Sequence, residues 1–420
     1  MVILYTISIY FLGFILHIVA LFNPKIRLFI SGRKDVFDIL QSKIAKNQDY
    51  VWVHVASLGE FEQGLPVIKE LRKHYKVVVT FFSPSGYEVR KNSPEADVIV
   101  YLPLDTPRNT RKFIDIIQPK MAVFVKYEFW YHYLITLKKR NVPTFLLSGI
   151  FREKQIFFKP YGGMMRNALH CFSHFFVQNQ KSKQLLQSIG FENITVSGDT
   201  RFDRVTEILH RDNHLDFIEK FVGNSLCVVF GSSWEEDESI YVDIINSGKE
   251  NVKYIIAPHD IHTEKINALR EKIHLKSVLF SEKKDFNTSD FQVYILDTVG
   301  ILTKVYSYAD IAYVGGGMGN SGLHNVLEPA VFGIPVIIGK NYEKFNEAKE
   351  LVEKGGVISV DSSEKLEKVL FSLIDSPIRR AEIGNINRTY IQNQSGATQK
   401  FTNFVKKTYV NQIVIKINTF

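Results

Sequence analysis

The clearest run in the chain is residues 297–329, DTVGILTKVYSYADIAYVGGGMGNSGLHNVLEP. Ile301, Leu302, Val305 and Tyr306 recur at helical spacing. A short apolar strand is expected at 311–314, closed by Gly315, Gly316 and Gly317. Backbone without Cβ atoms admits close approach by another group. Gly322, His324 and Asn325 then lead into an expected helix carrying Glu328 and Pro329. A helix N-terminus fed by a Gly-rich loop offers free N–H groups and a positive dipole end, which suit a phosphate. A carboxylate one turn further in can accept hydroxyls of a sugar. Plain turn chemistry competes for any lone Gly-rich loop. Against it stand His324, Asn325 and Glu328 within about one turn, and a second strand at 335–338 ending at Gly339. Two successive strand–loop–helix units imply a crevice at the carboxyl ends of a parallel sheet, here reading as a nucleotide-sugar site.

On either side the same alternation continues. Before it, VWVHVAS, KVVVTFF, DVIVYLP, MAVFVKY, VPTFLLS, HFFVQN and ITVSG are strand-like, with amphipathic runs such as LPVIKELRKHY between them. A polar segment follows Asp203 to about Asn224, and a second series begins: LCVVFGSS, KYIIAPH, VYIL, IAYVGGG, PVIIGK. Two sets of βα units predict an α/β chain of two doubly wound, Rossmann-like domains facing a central cleft. The expected divisions are 1–24, an N-terminal membrane anchor helix; 25–205, a first domain; 206–405, a second domain; and 406–420, a tail.

Composition supports a globular chain. Of 420 residues, 45% are hydrophobic and 23% charged, with a formal net charge of +8. The basic balance suits an anionic partner: nucleic acid, acidic membrane or a phosphorylated substrate. No zinc-finger or RNA-binding motif is present in the sequence, so nucleic acid ranks last and is not expected. Cys171 and Cys227 both fall in apolar runs and read as buried thiols in a reducing compartment.

Residues 2–22 contain no Asp, Glu, Lys or Arg. About 20 such residues can cross a bilayer as a helix. The positive n-region and small-residue cleavage site of a signal peptide are both missing. Lys25, Arg27, Arg33 and Lys34 follow, which by the positive-inside rule places the rest of the chain in the cytoplasm. A helix buried within the fold is the competing reading.

Several candidate site residues fall at strand ends. Ser57-Leu58-Gly59-Glu60 follows the first strand; Ser57 and Glu60 have capping-box spacing. Glu60 also sits where a carboxylate can act as general base, with Gly59 beside it admitting substrate. Ser83 and Ser85 close the next strand as turn residues or as part of the same edge. Lys126 and Glu128, framed by Tyr127 and Phe129, are either a surface pair or lining of the cleft. In the second half, Gly231 and Ser232 precede an acidic helix start at Glu235, Glu236, Asp237 and Glu238, which suits the helix dipole. His259 ends another strand. No D-x-D pair occurs, which argues against a donor held through a metal, and no metal or cofactor is expected.

Taken together these motifs carry a resemblance. HVASLGE, the SPSG turn, YEFW, VSGDTRFD, FGSSWEEDE, APH, LDTVGIL and GLHNVLEP, behind an N-terminal apolar helix, resemble the 3-deoxy-D-manno-octulosonic acid (Kdo) transferases of lipopolysaccharide assembly, glycosyltransferases of the GT-B fold. The resemblance implies inverting transfer of Kdo from CMP-Kdo to a lipid A precursor at the anionic inner-membrane surface, on its cytoplasmic face. It implies Glu60 as general base and Ser57, Gly59, Ser83, Ser85, Lys126 and Glu128 on the acceptor side. CMP would meet Gly231, Ser232, His259, Gly315, Gly316, Gly317, His324, Asn325 and Glu328. The chain departs from the family pattern at Lys126, where an acid is frequent, at Pro258, where Arg is frequent, and at Trp130-Tyr131-His132, where Trp-Pro-Asn is usual; Arg201 or Lys340 is a candidate replacement for the Arg. Two other readings compete: a GT-B transferase using a UDP-sugar, and a membrane-anchored binding protein of the same fold without turnover.

Overall fold

The computed structural model describes residues 1–282 and 287–410. The chain divides into two units, Met1–Arg204 together with Ser395–Phe420, and Val205–Gln394. Among the described residues, strands run in chain order as β1 Tyr50–Val55, β2 Lys76–Phe81, β3 Val98–Tyr101, β4 Met121–Val125, β5 Thr144–Gly149, β6 His174–Val177 and β7 Ile194–Val196 in the first unit. The second holds β8 Leu226–Ser233, β9 Val252–Pro258, β10 Ser277–Leu279, β11 Val293–Ile295, β12 Ile311–Val314, β13 Val336–Ile338 and β14 Val357–Ser359.

The first sheet has the order β3-β2-β1-β4-β5-β6-β7 and the second β10-β11-β9-β8-β12-β13-β14. All pairings are parallel. In each sheet the order reverses direction beside the first strand, between β1 and β4 and between β8 and β12. Open parallel sheets bind ligands outside the strand ends at such switch points, so topology alone selects the segments after these four strands.

Parallel strands covered on both faces are apolar throughout, and their side chains still alternate. Val51, Val53 and Val55 of β1 enter one core with Val77, Val79 and Phe81 of β2. Tyr50 and Trp52 enter the opposite core with Val78 and Val100. His54 and Thr80 share that second face and are fully buried, a polar pair at adjacent register positions. The second sheet is built alike, with Val228 and Phe230 on one face and Cys227 and Val229 on the other. Cys171 and Cys227 are buried free thiols, and burial raises both in pKa, Cys171 to about 11.

Three segments differ from the sequence expectation. The polar stretch after Asp203 holds two helices, Thr200–His210 and Asp216–Val222. The helix Ala397–Val405, expected in the second domain, belongs to the first unit. Its Phe401 lies edge-on to Phe145 at 5.7 Å and beside Phe176 at 5.1 Å, so its apolar face covers the first sheet. Asp203 fastens it by accepting the N–H groups of Gly396 and Thr398 at 2.5 and 2.6 Å. Most of the expected tail, residues 411–420, lies outside the described residues.

The helix Val2–Val19 has a mean hydropathy of 2.2, long and apolar enough to cross a membrane, with only 6% of it buried. Of the basic residues after it, Arg33 is not part of an exposed basic flank. Its guanidinium is turned inward, donating to the carbonyls of Phe29, Phe82 and Leu102 at 2.7, 2.7 and 2.8 Å. It stacks over the Phe29 ring at 3.5 Å, and burial lowers its pKa to about 9. Arg27 caps the preceding helix through the carbonyls of Ala20 and Leu21.

Candidate functional site

At the end of β1 the chain turns into the helix Leu58–Arg72. Ser57 is its N-cap, and its hydroxyl accepts the Glu60 N–H at 3.4 Å. The Glu60 carboxylate reaches back beyond the cap to accept the Ala56 N–H at 2.5 Å. It is therefore a capping residue, and it is also an acid with an altered pKa. Burial raises its pKa to about 7, the nearby Glu128 adds to this, and the Ala56 N–H and Lys126 oppose it. Such a carboxyl is half ionised near neutrality, where general bases are most effective. A Cβ at Gly59 would meet nothing nearer than the Ser57 hydroxyl at 4.0 Å. The face beside Glu60 is thus open.

The helix Pro84–Arg90 starts alongside, with Ser83 as its N-cap and the hydroxyls of Ser83 and Ser85 2.8 Å apart. A Cβ at Gly86 would stand 2.8 Å from the Leu58 nitrogen, so the two helix starts abut.

After β4, Lys126 takes a left-handed backbone, φ +71°, while its N–H bonds to Leu147. The turn delivers Glu128 to a buried relay. Its Oε2 accepts Trp130 Nε1–H at 2.7 Å and faces His54 Nε2 at 3.0 Å. His54 Nδ1 meets the Thr80 hydroxyl at 2.8 Å, and that hydroxyl accepts Trp52 Nε1–H at 2.8 Å. His54 Nδ1 also lies 3.2 Å from the Thr80 carbonyl, and Trp130 Nε1 3.0 Å from His54 Nε2, so the imidazole is held from both sides. Glu128 is thus fixed in place rather than exposed beside Lys126. The VSGDTRFD run supports the other end of this edge. Asp199 accepts Gln63 Nε2–H at 2.7 Å and the Arg201 N–H and Nε–H at 2.9 Å each. Arg201 therefore spends its guanidinium at least partly on the first unit's own carboxylate.

In the second unit, β8 leads through Ser232, φ +55°, to Trp234, the N-cap of the helix Glu235–Ser247. Of the four acids at that helix start, Asp237 is turned fully inward. It accepts the Trp234 N–H at 2.9 Å, the Gly316 N–H at 2.8 Å and the Tyr313 hydroxyl at 2.8 Å. That one carboxylate ties the loop after β8 to the loop after β12. Above it Trp234 stacks on His259 at 4.3 Å, and His259 on His324 at 4.7 Å. Trp234 Nε1–H donates to His324 Nε2 at 3.1 Å. Burial first, and His259 second, lower the His324 pKa.

The glycines have packing reasons of their own. A Cβ at Gly231 would lie 1.9 Å from the Tyr306 hydroxyl, at Gly315 2.4 Å from the Ser232 carbonyl, and at Gly317 2.9 Å from the Gly339 nitrogen. Neighbouring loops, not only a ligand, require their absence of side chains. The expected phosphate-binding helix is also shorter than anticipated. Leu327–Ala330 is one turn, and Gly333 follows with φ +72°. Glu328 instead pairs with Asn325 Nδ2–H at 3.1 Å, and Asn325 caps Leu327 N–H at 3.1 Å. Glu328 also lies near Tyr306, whose phenol it helps raise in pKa after burial.

The structure thus places Ser57, Gly59, Glu60, Lys126 and Glu128 after the two strands at the switch point of the first sheet, with Ser83 and Ser85 after the neighbouring β2. It gathers Gly231, Ser232, His259, Gly315, Gly316, Gly317, His324, Asn325 and Glu328 around that of the second. Trp52, His54, Thr80, Trp130, Trp234 and Asp237 are not marked as site residues by the sequence alone. The signal for His54 and Thr80 was a polar residue on an inward face of an otherwise apolar strand.

A family model for 3-deoxy-D-manno-octulosonic-acid transferase matches residues 33–204. The 3-deoxy-D-manno-octulosonic acid transferase of Aquifex aeolicus is 30% identical over 312 residues, covering 73% of this chain and 80% of that one. That of Haemophilus influenzae is 26% identical over 373 residues, covering 85% and 86%. Among solved structures, UDP-GlcNAc 2-epimerase from Neisseria meningitidis has a TM-score of 0.61 at 17% identity, over 86% of this chain and 100% of that one. MurG from Acinetobacter baumannii has a TM-score of 0.56 at 12% identity, over 86% and 100%. These two show the GT-B fold alone. By sequence relationship and by fold, the chain is a glycosyltransferase that belongs to the 3-deoxy-D-manno-octulosonic acid transferase family.

Proposed function

We propose that the chain moves Kdo from CMP-Kdo to a lipid A precursor, inverting the anomeric centre, with Glu60 as general base. The observation that carries the reading is the Glu60 carboxyl, 9% exposed at the open face beside Gly59, where burial pushes its pKa up. Glu60 takes the proton of the acceptor hydroxyl as that oxygen attacks the anomeric carbon. The bond from that carbon to the phosphate oxygen breaks, and CMP departs as a phosphate monoester. Glu128, held by His54 and Trp130, positions the acceptor and keeps Glu60 basic. In this reading the loops after β8, β9 and β12 hold the nucleotide. The Asn325–Glu328 pair takes the ribose hydroxyls, and the Trp234–His259–His324 stack lies by the phosphate. The mechanism assigns no metal to any step.

The reading also places the enzyme at the cytoplasmic face of the inner membrane. Exposed Ile3, Leu4, Phe11 and Phe14 on the N-terminal helix suit the acyl region, and the net charge of +8 suits anionic lipid. The test is incubation of the full chain with CMP-Kdo and a tetraacylated lipid A precursor, with products read by mass. A lipid product heavier by one or more Kdo residues is expected. Transfer from a UDP-sugar in place of CMP-Kdo, or no transfer, would refute the reading.

A further inference from the structure

The helix Val2–Val19 meets the first unit along one stripe: Tyr5, Thr6, Ile9, Gly13 and Leu16 are its least exposed positions, and Ala20 continues the line. A Cβ at Gly13 would lie 3.1 Å from Leu104, so the helix is docked at close range there. The polar side chains of the stripe make specific bonds. Tyr5 donates its hydroxyl to Asp105 Oδ2 at 2.7 Å. The Thr6 hydroxyl donates to Val2 and accepts from His132 Nε2 at 2.9 Å. Tyr5 also packs edge-on against Tyr131 at 5.8 Å.

Asp105, 1% exposed, does more than receive Tyr5. Its two oxygens accept the N–H groups of His132 and Tyr133 at 3.0 Å each. These are the second and third residues of the helix Tyr131–Lys139, whose own N-cap, Trp130, makes no side-chain cap bond. The open N–H groups of a helix start need a partner, and here one is supplied from another element. Trp130 stands at that start and donates its indole N–H to Glu128. Hydrogen bonds join the apolar helix to Asp105 and the helix start, and the backbone of residues 130–133 joins that start to Trp130, whose indole holds the carboxylate beside Glu60.

We propose that Tyr5 and Asp105 are positioning residues for Kdo transfer: the helix that anchors the chain also holds Glu128 in place through the helix start at 130–133. This rests on the reading of Glu60 as base. The groups that act on the Glu60 carboxyl are Glu128, which raises its pKa, and Lys126, the Ala56 N–H and the Ser57 N–H, which lower it; Tyr127 lies near as well. Burial is the main cause of the raised Glu60 pKa and Glu128 the second, so slackening the hold on Glu128 weakens that second contribution. The acid limb of the rate profile then moves to lower pH, which a purely anchoring helix would not cause.

The experiment uses the full chain in detergent micelles and measures Kdo transfer against pH. Tyr5→Phe is expected to keep the parent KM for CMP-Kdo, lose roughly threefold to tenfold in kcat, and shift the acid limb downward. Thr6→Val is expected to act in the same direction, more weakly. Phe11→Ala, on the outward face and 63% exposed, is expected to weaken binding to phosphatidylglycerol-containing vesicles while keeping the parent rate and profile in detergent. Parent kcat and pH profile in both Tyr5→Phe and Thr6→Val would overturn the proposal, as would the same loss in Phe11→Ala. Glu60→Gln is run alongside. Full turnover there removes the general-base reading itself, whereas an inactive Glu60→Gln with an unchanged Tyr5→Phe removes the positioning role alone.

Discussion

The Trp234 indole N–H donates to Nε2 of His324 at 3.1 Å, which fixes that histidine as the neutral tautomer with its proton on Nδ1. The lowered pKa of His324 agrees with this, since protonation would place two donors face to face. Trp234→Phe keeps an aromatic ring over His259 but removes the donor. The His324 ring resonances, followed by NMR across pH 4–8, are expected to titrate at higher pH in the variant than in the parent. CMP binding is expected to weaken by roughly threefold to tenfold, the usual worth of one hydrogen bond. An unchanged His324 titration would show that the bond does not set the tautomer.

Glu60→Gln separates capping from catalysis. Glutamine still accepts the Ala56 N–H but cannot take a proton, so turnover is expected to fall roughly a hundredfold or more. Stability moves in a defined direction. The folded pKa of about 7 lies above the ordinary value of 4.5. Between those values the folded state holds the proton more tightly. Its stabilising contribution is therefore complete below about pH 4.5 and lost as pH rises through about 7. The parent's melting temperature should carry this decline, and the glutamine variant should lack it. For the parent, kcat/KM should rise with pH through an acid limb near 7. A variant that transfers Kdo at the parent rate would falsify the assignment.

Glu328→Ala tests the donor side. Its Oε1 is held by Asn325, so a folded variant should bind CMP about tenfold to a hundredfold more weakly, as expected for lost charge-assisted hydrogen bonds. Glu328→Gln, with Asn325 retained, should recover part of the loss. Calorimetric titration with CMP decides it, and equal affinity in all three proteins would remove Glu328 from the site.

Asp203→Ala addresses the C-terminal helix. Loss of the bonds to Gly396 and Thr398 should cost about 1–2 kcal/mol, as for other capping acids. Limited proteolysis should then cut first between residues 390 and 405, and CMP affinity should stay at the parent value. Unaltered proteolysis would mean that Phe401 and its neighbours hold the helix unaided.

Much of this was legible in the chain. The strand 226–233 reads directly from LCVVFGSS, an apolar run stopped by Gly and Ser, and the structure gives it those limits. Glu60 and Glu128 stand out because each is an acid in the short segment after a buried strand. What stayed hidden has physical reasons. Three-residue strands such as Ser277–Leu279 and Val357–Ser359 are too short to show a period. The residues 200–222 are charged enough to resemble a solvated linker, yet only one face of each helix needs to be apolar. Trp52, His54 and Thr80 sit where the period of two expects core, and nothing local shows that they bond to one another. Asp237 is one of four successive acids, and only the tertiary structure reveals which of them turns inward. The apolar face of Ala397–Val405 is equally plain in sequence, but no local pattern names the sheet that it covers.

That last helix has a consequence for the order of events during synthesis. The patch formed by Phe145 and Phe176 is complete only when Phe401 arrives, after every residue of Val205–Gln394 has been made. At ordinary elongation rates that interval is roughly 10–40 s. For that time the first sheet exists on the ribosome with part of one apolar face uncovered, and Asp203 waits for the N–H groups it will bind. The nascent chain therefore passes through a stage in which its first sheet is formed but unsealed, and a helix made only after Val205–Gln394 closes it.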